Sequence, residues 1–280
     1  MELNRKELKR EAKACMAGRR PNTYLVALVY LLILLVLQFL SVRIRYPGVG
    51  LQQLAALYSG RGLDEETILR LLYSSPGTIG TLLYYAIEIM ALIVGLGFIS
   101  FSLLVSRRSE AGFGNLFDGF GIFFRALWLS ILRALLLALW ALPAAIGAAM
   151  LMVVLQGELG LLPFALPVGN IPLYCFAAVL IIAGTVLELI AAYRYSMCFF
   201  ILLDAPDKTA FQCLRESRDM TRGYKGKLFV LDLSFLGWML LSVIPFVILY
   251  TLPYITVTQA NCYRVLSGHW EAPKSIDVSV

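Results

Sequence analysis

The sequence predicts an all-α fold: a polytopic transmembrane helical bundle of six spans, or alternatively five, with amphipathic interfacial helices. Three observations carry that prediction. Of the 280 residues 60% are apolar and only 15% are charged, where a soluble domain carries about 25% charged residues. The mean hydropathy is +0.78. The apolar residues gather into uncharged runs near the roughly 20 residues that a spanning helix needs. The same arithmetic excludes a disordered chain or a repeat array.

Residues 1–20 read as a cytoplasmic amphipathic helix. Asn4 and Glu7 have the spacing of a cap and its reciprocal acid. Leu8, Ala12, Cys15 and Met16 fall on one face among Arg and Lys. Such a helix suits an anionic leaflet, or serves as a solvated lead-in that sets topology. The transmembrane domain follows over residues 21–266. Its first span, 24–42, has no charge between Arg20 and Arg43. That run is too long for a signal-peptide core and lacks a small-residue cleavage site, so it is expected to stay attached.

The second span, 79–105, contains the single charge Glu88. The third, 123–155, carries Arg125 and Arg133, and Pro143 is expected to kink it. Along it Ala134, Ala138, Ala141, Ala145 and Ala148 recur every three or four positions, a pattern read as a packing seam. The fourth span, 173–203, holds Glu188 and Arg194. As one helix it exceeds the bilayer core, so it must tilt, kink or project. Pro245 and Pro253 argue against one unbroken helix over the last apolar region, which reads as a hairpin, 228–244 and 247–266, with a turn near Ile244 to Phe246. Residues 267–280 form a cytoplasmic tail. Two further helices are expected: over Thr209 to Arg222, with Ala210, Phe211, Leu214 and Ser217 on one face and Gly223 as its stop, and over DEETILRLLY, capped by Asp64, in the outer loop 43–78.

Basic residues set the orientation. Seven precede Pro21, three (Arg107, Arg108, Arg125) lie between spans two and three, and six lie between Lys208 and Lys227. The opposite side holds Arg43, Arg45, Arg61 and Arg70. Both termini are therefore expected in the cytoplasm of a plasma-membrane protein. The net charge of +6 points to anionic lipid headgroups, since the cations flank apolar runs; nucleic acid is not an expected partner. A protein partner or homo-oligomer is compatible with the pattern.

The run Ser217-Arg218-Asp219-Met220, Gly223-Tyr224-Lys225, Leu228-Phe229 and Leu233-Ser234-Phe235-Leu236-Gly237-Trp238 resembles the signature of the domain-of-unknown-function family 975. Pro253-Tyr254, Thr258, Ala260 and Tyr263-Arg264 resemble its closing motif, and Arg5-Lys6-Glu7-Leu8-Lys9 its opening one. Tyr195-Ser196-Met197 and Asp204-Ala205-Pro206 also fit. The resemblance implies an uncharacterised multi-pass membrane protein of Gram-positive bacteria and supplies no reaction, substrate or cofactor. Where that family turns between its last helices at glycines, this chain has IPFVIL. A fainter resemblance is to the membrane-embedded part of bacterial glycerophosphodiester phosphodiesterases, whose catalytic portion has no counterpart here.

Glu88, Arg133, Glu188 and Arg194 are the candidate functional residues, as an intramembrane polar cluster. A charge at membrane depth costs roughly 2.5–3.5 kcal/mol, so each should face the interior, a partner or water. Arg133 and Glu188 fall at similar depth and have opposite sign, which suggests a pair that Glu88 joins. That group is either an ion or proton path or a buried structural ion pair. Arg125 and Asp232 read as snorkelling or capping residues. Catalytic, cofactor-binding and metal residues are not expected. The single histidine, His269, stands in the tail, and Cys15, Cys175, Cys198, Cys213 and Cys262 have no C-x-x-C spacing. Nucleotide and G-x-S-x-G motifs are absent, and Gly112 to Gly121 has the wrong spacing for a phosphate loop. The expected role is non-enzymatic: a membrane-embedded accessory, scaffold or stress and immunity factor. A small transporter or channel is the alternative, and an intramembrane lipid-acting enzyme the third reading.

Overall fold

A computed structural model describes residues 3–46, 77–158 and 171–268. The expected helix at Asp64, and the expected tail from His269 onward, lie outside the described residues. The chain is all-helical: among the described residues there is no strand. Four stretches are long and apolar enough to cross a bilayer, Thr23–Arg45, Gly77–Ser106, Phe113–Leu155 and Ile171–Asp204. They are compatible with a membrane-embedded protein.

The helices are α1 (Arg5–Met16), α2 (Thr23–Arg45), α3 (Gly77–Ser106), a 3₁₀ segment (Phe113–Ile122), α4 (Phe123–Glu158), α5 (Ile171–Arg194), α6 (Cys198–Asp204), α7 (Ala210–Met220), α8 (Lys225–Leu233), α9 (Leu236–Leu241) and α10 (Pro245–Leu266). They sort into two compact units.

The first unit comprises Lys9–Phe123 and Leu241–Ala260. Asn22 starts α2, its side-chain oxygen accepting from the Tyr24 amide at 3.0 Å. The central helix is α3, more than half of whose spanning window is buried. Rings lock α2 to it: Tyr30 stacks on Phe98 with centroids 4.4 Å apart. The 3₁₀ segment lies directly on the α3 backbone. A Cβ built at Gly97 would stand 1.9 Å from the Leu116 carbonyl oxygen, and one at Gly119 would stand 2.5 Å from that of Ile93. Only glycine permits such an approach. Ser100 donates to Asp118 at 2.6 Å, fixing the segment's register. The first part of α10 joins this core through Ser102, which donates to the Thr256 hydroxyl at 3.1 Å.

The apolar face of α1 meets protein. Leu8, Ala12, Cys15 and Met16 are all buried, where the sequence pattern left open a leaflet-bound helix or a solvated lead-in. Lipid and protein satisfy the same stripe equally well, so amphipathy alone does not choose between them.

The second unit comprises Met1–Leu8, Phe124–Leu240 and Asn261–Val280. Here α4 and α5 pair closely. A Cβ at Gly184 would lie 2.2 Å from the Ala144 amide nitrogen, and one at Gly147 would lie 2.8 Å from the Ala177 carbonyl oxygen. The seam therefore runs through Ala144 and Gly147. Ala134, Ala138, Ala145 and Ala148 are exposed, a correction to the expected seam. Both stripes offer small residues at helical spacing, and the positions of Gly184 and Ala177 on α5 select between them. Helix α4 continues through Pro143.

The apolar run after Ile171 breaks at Arg194, and three residues of turn precede α6. Helix α7 starts on a capping box, Thr209 with Gln212, and buries Ala210, Cys213, Leu214 and Ser217. Phe211, expected on that face, is exposed. The region expected as the fifth span comprises α8 and α9, of 9 and 6 residues, so neither crosses a bilayer alone. Turn residues 242–244 then separate α9 from α10.

Candidate functional site

The four residues singled out from sequence do not form one cluster within either unit. Glu88 stands on α3, half-buried in the first unit. In the second unit the Arg133 guanidinium lies over the Phe199 ring, 5.2 Å from its centroid, and its buried Nε has no hydrogen-bond partner. Glu188 is exposed on α5 among Val186, Leu187, Leu189 and Ile190, which are exposed too. Among the described residues no ion pair joins Arg133 to Glu188. Arg125, by contrast, donates to the Pro206 carbonyl and lies 3.7 Å from Asp207.

Arg194 occupies the most constructed polar environment of the four. It ends α5, and its own carbonyl is one that a helix C-terminus leaves without an intrahelical donor. Buried Ser217 on α7 supplies one, its hydroxyl donating to the Arg194 oxygen at 3.0 Å. The same hydroxyl accepts from the Met197 amide at 3.2 Å. One side chain thus ties the end of α5 to the chain just before α6. Thr221 adds a weaker donation to the Arg194 oxygen at 3.4 Å. Gly223, at φ +84°, then turns the chain sharply into α8.

The result is a small recess of about 290 Å³ lined by Arg194, Arg218, Asp219, Arg222 and Lys225. Arg218 is held by its neighbour Asp219 at 3.0 Å. The Arg194 side chain lies against the Tyr195 ring, 5.8 Å from its centroid, while its buried Nε has no hydrogen-bond partner. In the same unit, Tyr263 donates to Asp204 at 3.0 Å and stacks on Phe200 at 5.5 Å. Asn261 donates to the Leu8 carbonyl at 3.3 Å. Several fragments that carry the family resemblance meet in this unit.

The first unit has a polar cleft of its own, about 700 Å³ and open, with Cys15, Arg19, Arg20, Arg108, Ser109 and Asn115 in its wall. Its cations are largely committed. Arg108 donates to Glu11 at 2.8 Å, and Arg19 donates to the Ser109 carbonyl at 2.6 Å. Arg108 adopts φ +58° just past the end of α3, an uncommon conformation for a residue with a side chain. Burial pushes the Cys15 thiol up from its ordinary value, and the neighbouring Glu11 charge adds to the effect. The Glu11 hydrogen bond raises the Arg108 value in turn.

Both arrangements escaped the sequence reading. Glu11 and Arg108 are 97 positions apart, so nothing local signals their pairing. Arg222 counted only as an orientation signal, and Lys225 as that and as part of the family signature. Their position on either side of a glycine suited to a positive φ was the available clue. Among the described residues no group of three His, Cys, Asp or Glu side chains is placed to hold a metal ion.

The family described as protein of unknown function (DUF975) matches residues 1–269, and the chain belongs to it. No curated protein and no solved structure matches.

Proposed function

We propose that this DUF975 protein is a non-enzymatic accessory of the plasma membrane, a scaffold or stress and immunity factor acting through helix–helix and lipid contacts. One observation carries the reading. Helices α4 and α5 are closely seamed, yet only 11% and 17% of the spanning windows that contain them are buried. Leu135, Leu139, Leu142 and Ile146 on α4, with Val179, Ile182 and Val186 on α5, form an outward apolar surface. Such a surface is suited to lipid tails or to another protein's spans.

The fuller topology is part of the proposal. Six spans result if α8 and α9 together form the fifth and α10 the sixth. The 22 residues of α10 rise to about 33 Å, enough for the hydrocarbon core. Flanking cations then put both termini in the cytoplasm. The placement of Arg133 over Phe199 supports a structural part for that charge.

Proteoliposomes with an imposed proton or potassium gradient test the role. Wild-type protein is expected to leave the gradient decaying at the rate of protein-free vesicles. Facilitated flux that Glu88→Gln or Glu188→Gln abolishes would replace this reading with transport.

A further inference from the structure

From the Arg194 recess we infer a binding site for a phosphate group, as carried by an anionic phospholipid headgroup or by free phosphate. The inference deepens the accessory reading and rests on its placement of this end of α5 at the inner leaflet. The 24 residues of α5 rise to about 36 Å, more than the roughly 30 Å core, so Arg194 emerges at headgroup level.

Charge is the first argument. Four cations and one carboxylate line the recess. Asp219 engages Arg218, and among the described residues the side chains of Arg222 and Lys225 have no hydrogen-bond or ion-pair partner. The unmatched charge therefore belongs to Arg194, Arg222 and Lys225. The second argument is an unsatisfied donor. The Arg194 Nε is buried without a hydrogen-bond partner, so the contacts of the fold do not use up the donor capacity of this guanidinium.

Backbone polarity is the third. The negative C-terminal end of α5 is masked where Ser217 and Thr221 donate to the Arg194 carbonyl. Helix α8, of nine residues, begins at Lys225 with no side chain capping its amides, which adds positive character. Size supplies the fourth. At about 290 Å³ the recess falls below the usual range for drug-sized ligands, and it suits a compact group whose remainder lies outside. Guanidinium groups recognise phosphate oxygens through paired N–H donors, and basic pockets at the cytoplasmic ends of spans are a recurrent way of holding phospholipid headgroups. The wider cleft of the first unit is the weaker candidate, because Arg19 and Arg108 are already engaged.

The test uses full-length protein, delipidated in neutral maltoside detergent, titrated at matched ionic strength with dihexanoyl phosphatidic acid and separately with inorganic phosphate. Wild-type protein is expected to bind, and the Arg222→Gln/Lys225→Gln variant to bind at least about tenfold more weakly. Arg20→Gln, in the other cleft, is expected to bind as wild type does. Much tighter binding of the lipid identifies a headgroup site; similar affinity for both probes identifies free phosphate. Either supports the inference. Equal affinity in wild type and double variant, or binding of neither probe, overturns it. If the double variant loses its native elution profile, Arg222→Gln alone is read by the same criterion. Vesicle flux would refute the accessory role without changing these affinities, so the two failures are separable.

Discussion

Gly95 and Gly97 stand two residues apart on α3 and face different surroundings, so one substitution should act in opposite directions at the two sites. Replacing a helical glycine by alanine gains about 1 kcal/mol of helix propensity. At Gly95 nothing opposes that gain, because the new Cβ would lie 3.8 Å from the Tyr30 hydroxyl, an ordinary contact. Gly95→Ala should therefore stabilise by up to about 1 kcal/mol. At Gly97 the Cβ would meet three backbone atoms of Leu116, at 1.9, 2.3 and 2.7 Å. Restoring the nearest contact to 3.4 Å requires a shift of about 1.5 Å in the 3₁₀ segment. That segment is anchored by the Ser100–Asp118 hydrogen bond and by the fit of Gly119 on Ile93. Overpacking of this kind costs about 1–3 kcal/mol, occasionally more. A clash this short against backbone belongs at the upper end of that range, so after the propensity gain Gly97→Ala should remain destabilising by about 2 kcal/mol. Thermal unfolding in detergent, followed by tryptophan fluorescence, measures both variants. Shifts of the same sign, or a Gly97→Ala protein as stable as wild type, would refute the close packing of these two elements.

Ser217→Ala removes a buried hydroxyl that donates to the Arg194 carbonyl and accepts from the Met197 amide. A loss of about 2 kcal/mol is expected, with much of it restored in Ser217→Thr, and the same unfolding assay reads both. Cys15 tests the polar contacts of α1. Its thiol value is raised above the ordinary 9.0, first by burial and then by Glu11, so the fold favours the neutral form. That contribution is complete below the ordinary value and is lost as pH rises through the folded one. Iodoacetamide labelling of Cys15 at pH 8, mapped by mass spectrometry, should be much slower in the native protein than in the denatured chain. Equal rates would contradict the buried placement of Cys15.

The spacing of charges along the chain revealed the apolar runs, because a stretch without charges has few alternatives to a helix in lipid. Direction around each helix was harder to read. Counting residues along α4 and α5 placed Arg133 and Glu188 at similar heights, but height does not specify which way a side chain points. Arg133 is directed to Phe199 and Glu188 outward. The alanine stripe failed for the same reason: the partner's glycine chose Ala144 and Gly147. The basic recess was hidden more deeply, since sequence records charge by segment. It does not record that Ser217 and Gly223 bring the start of α8 beside the end of α5.

The burial of α1 imposes a sequence of events on synthesis. Cys15 reaches the Ser106 carbonyl, 91 positions further along the chain. Helix α1 is thus made before the surroundings that bury it. Until α3 has been made, an oily stripe on a cationic rod has no permanent neighbour, and the headgroup layer is its natural waiting place. An N-terminal fusion that delays or blocks its return should therefore yield protein that enters the membrane yet fails to mature.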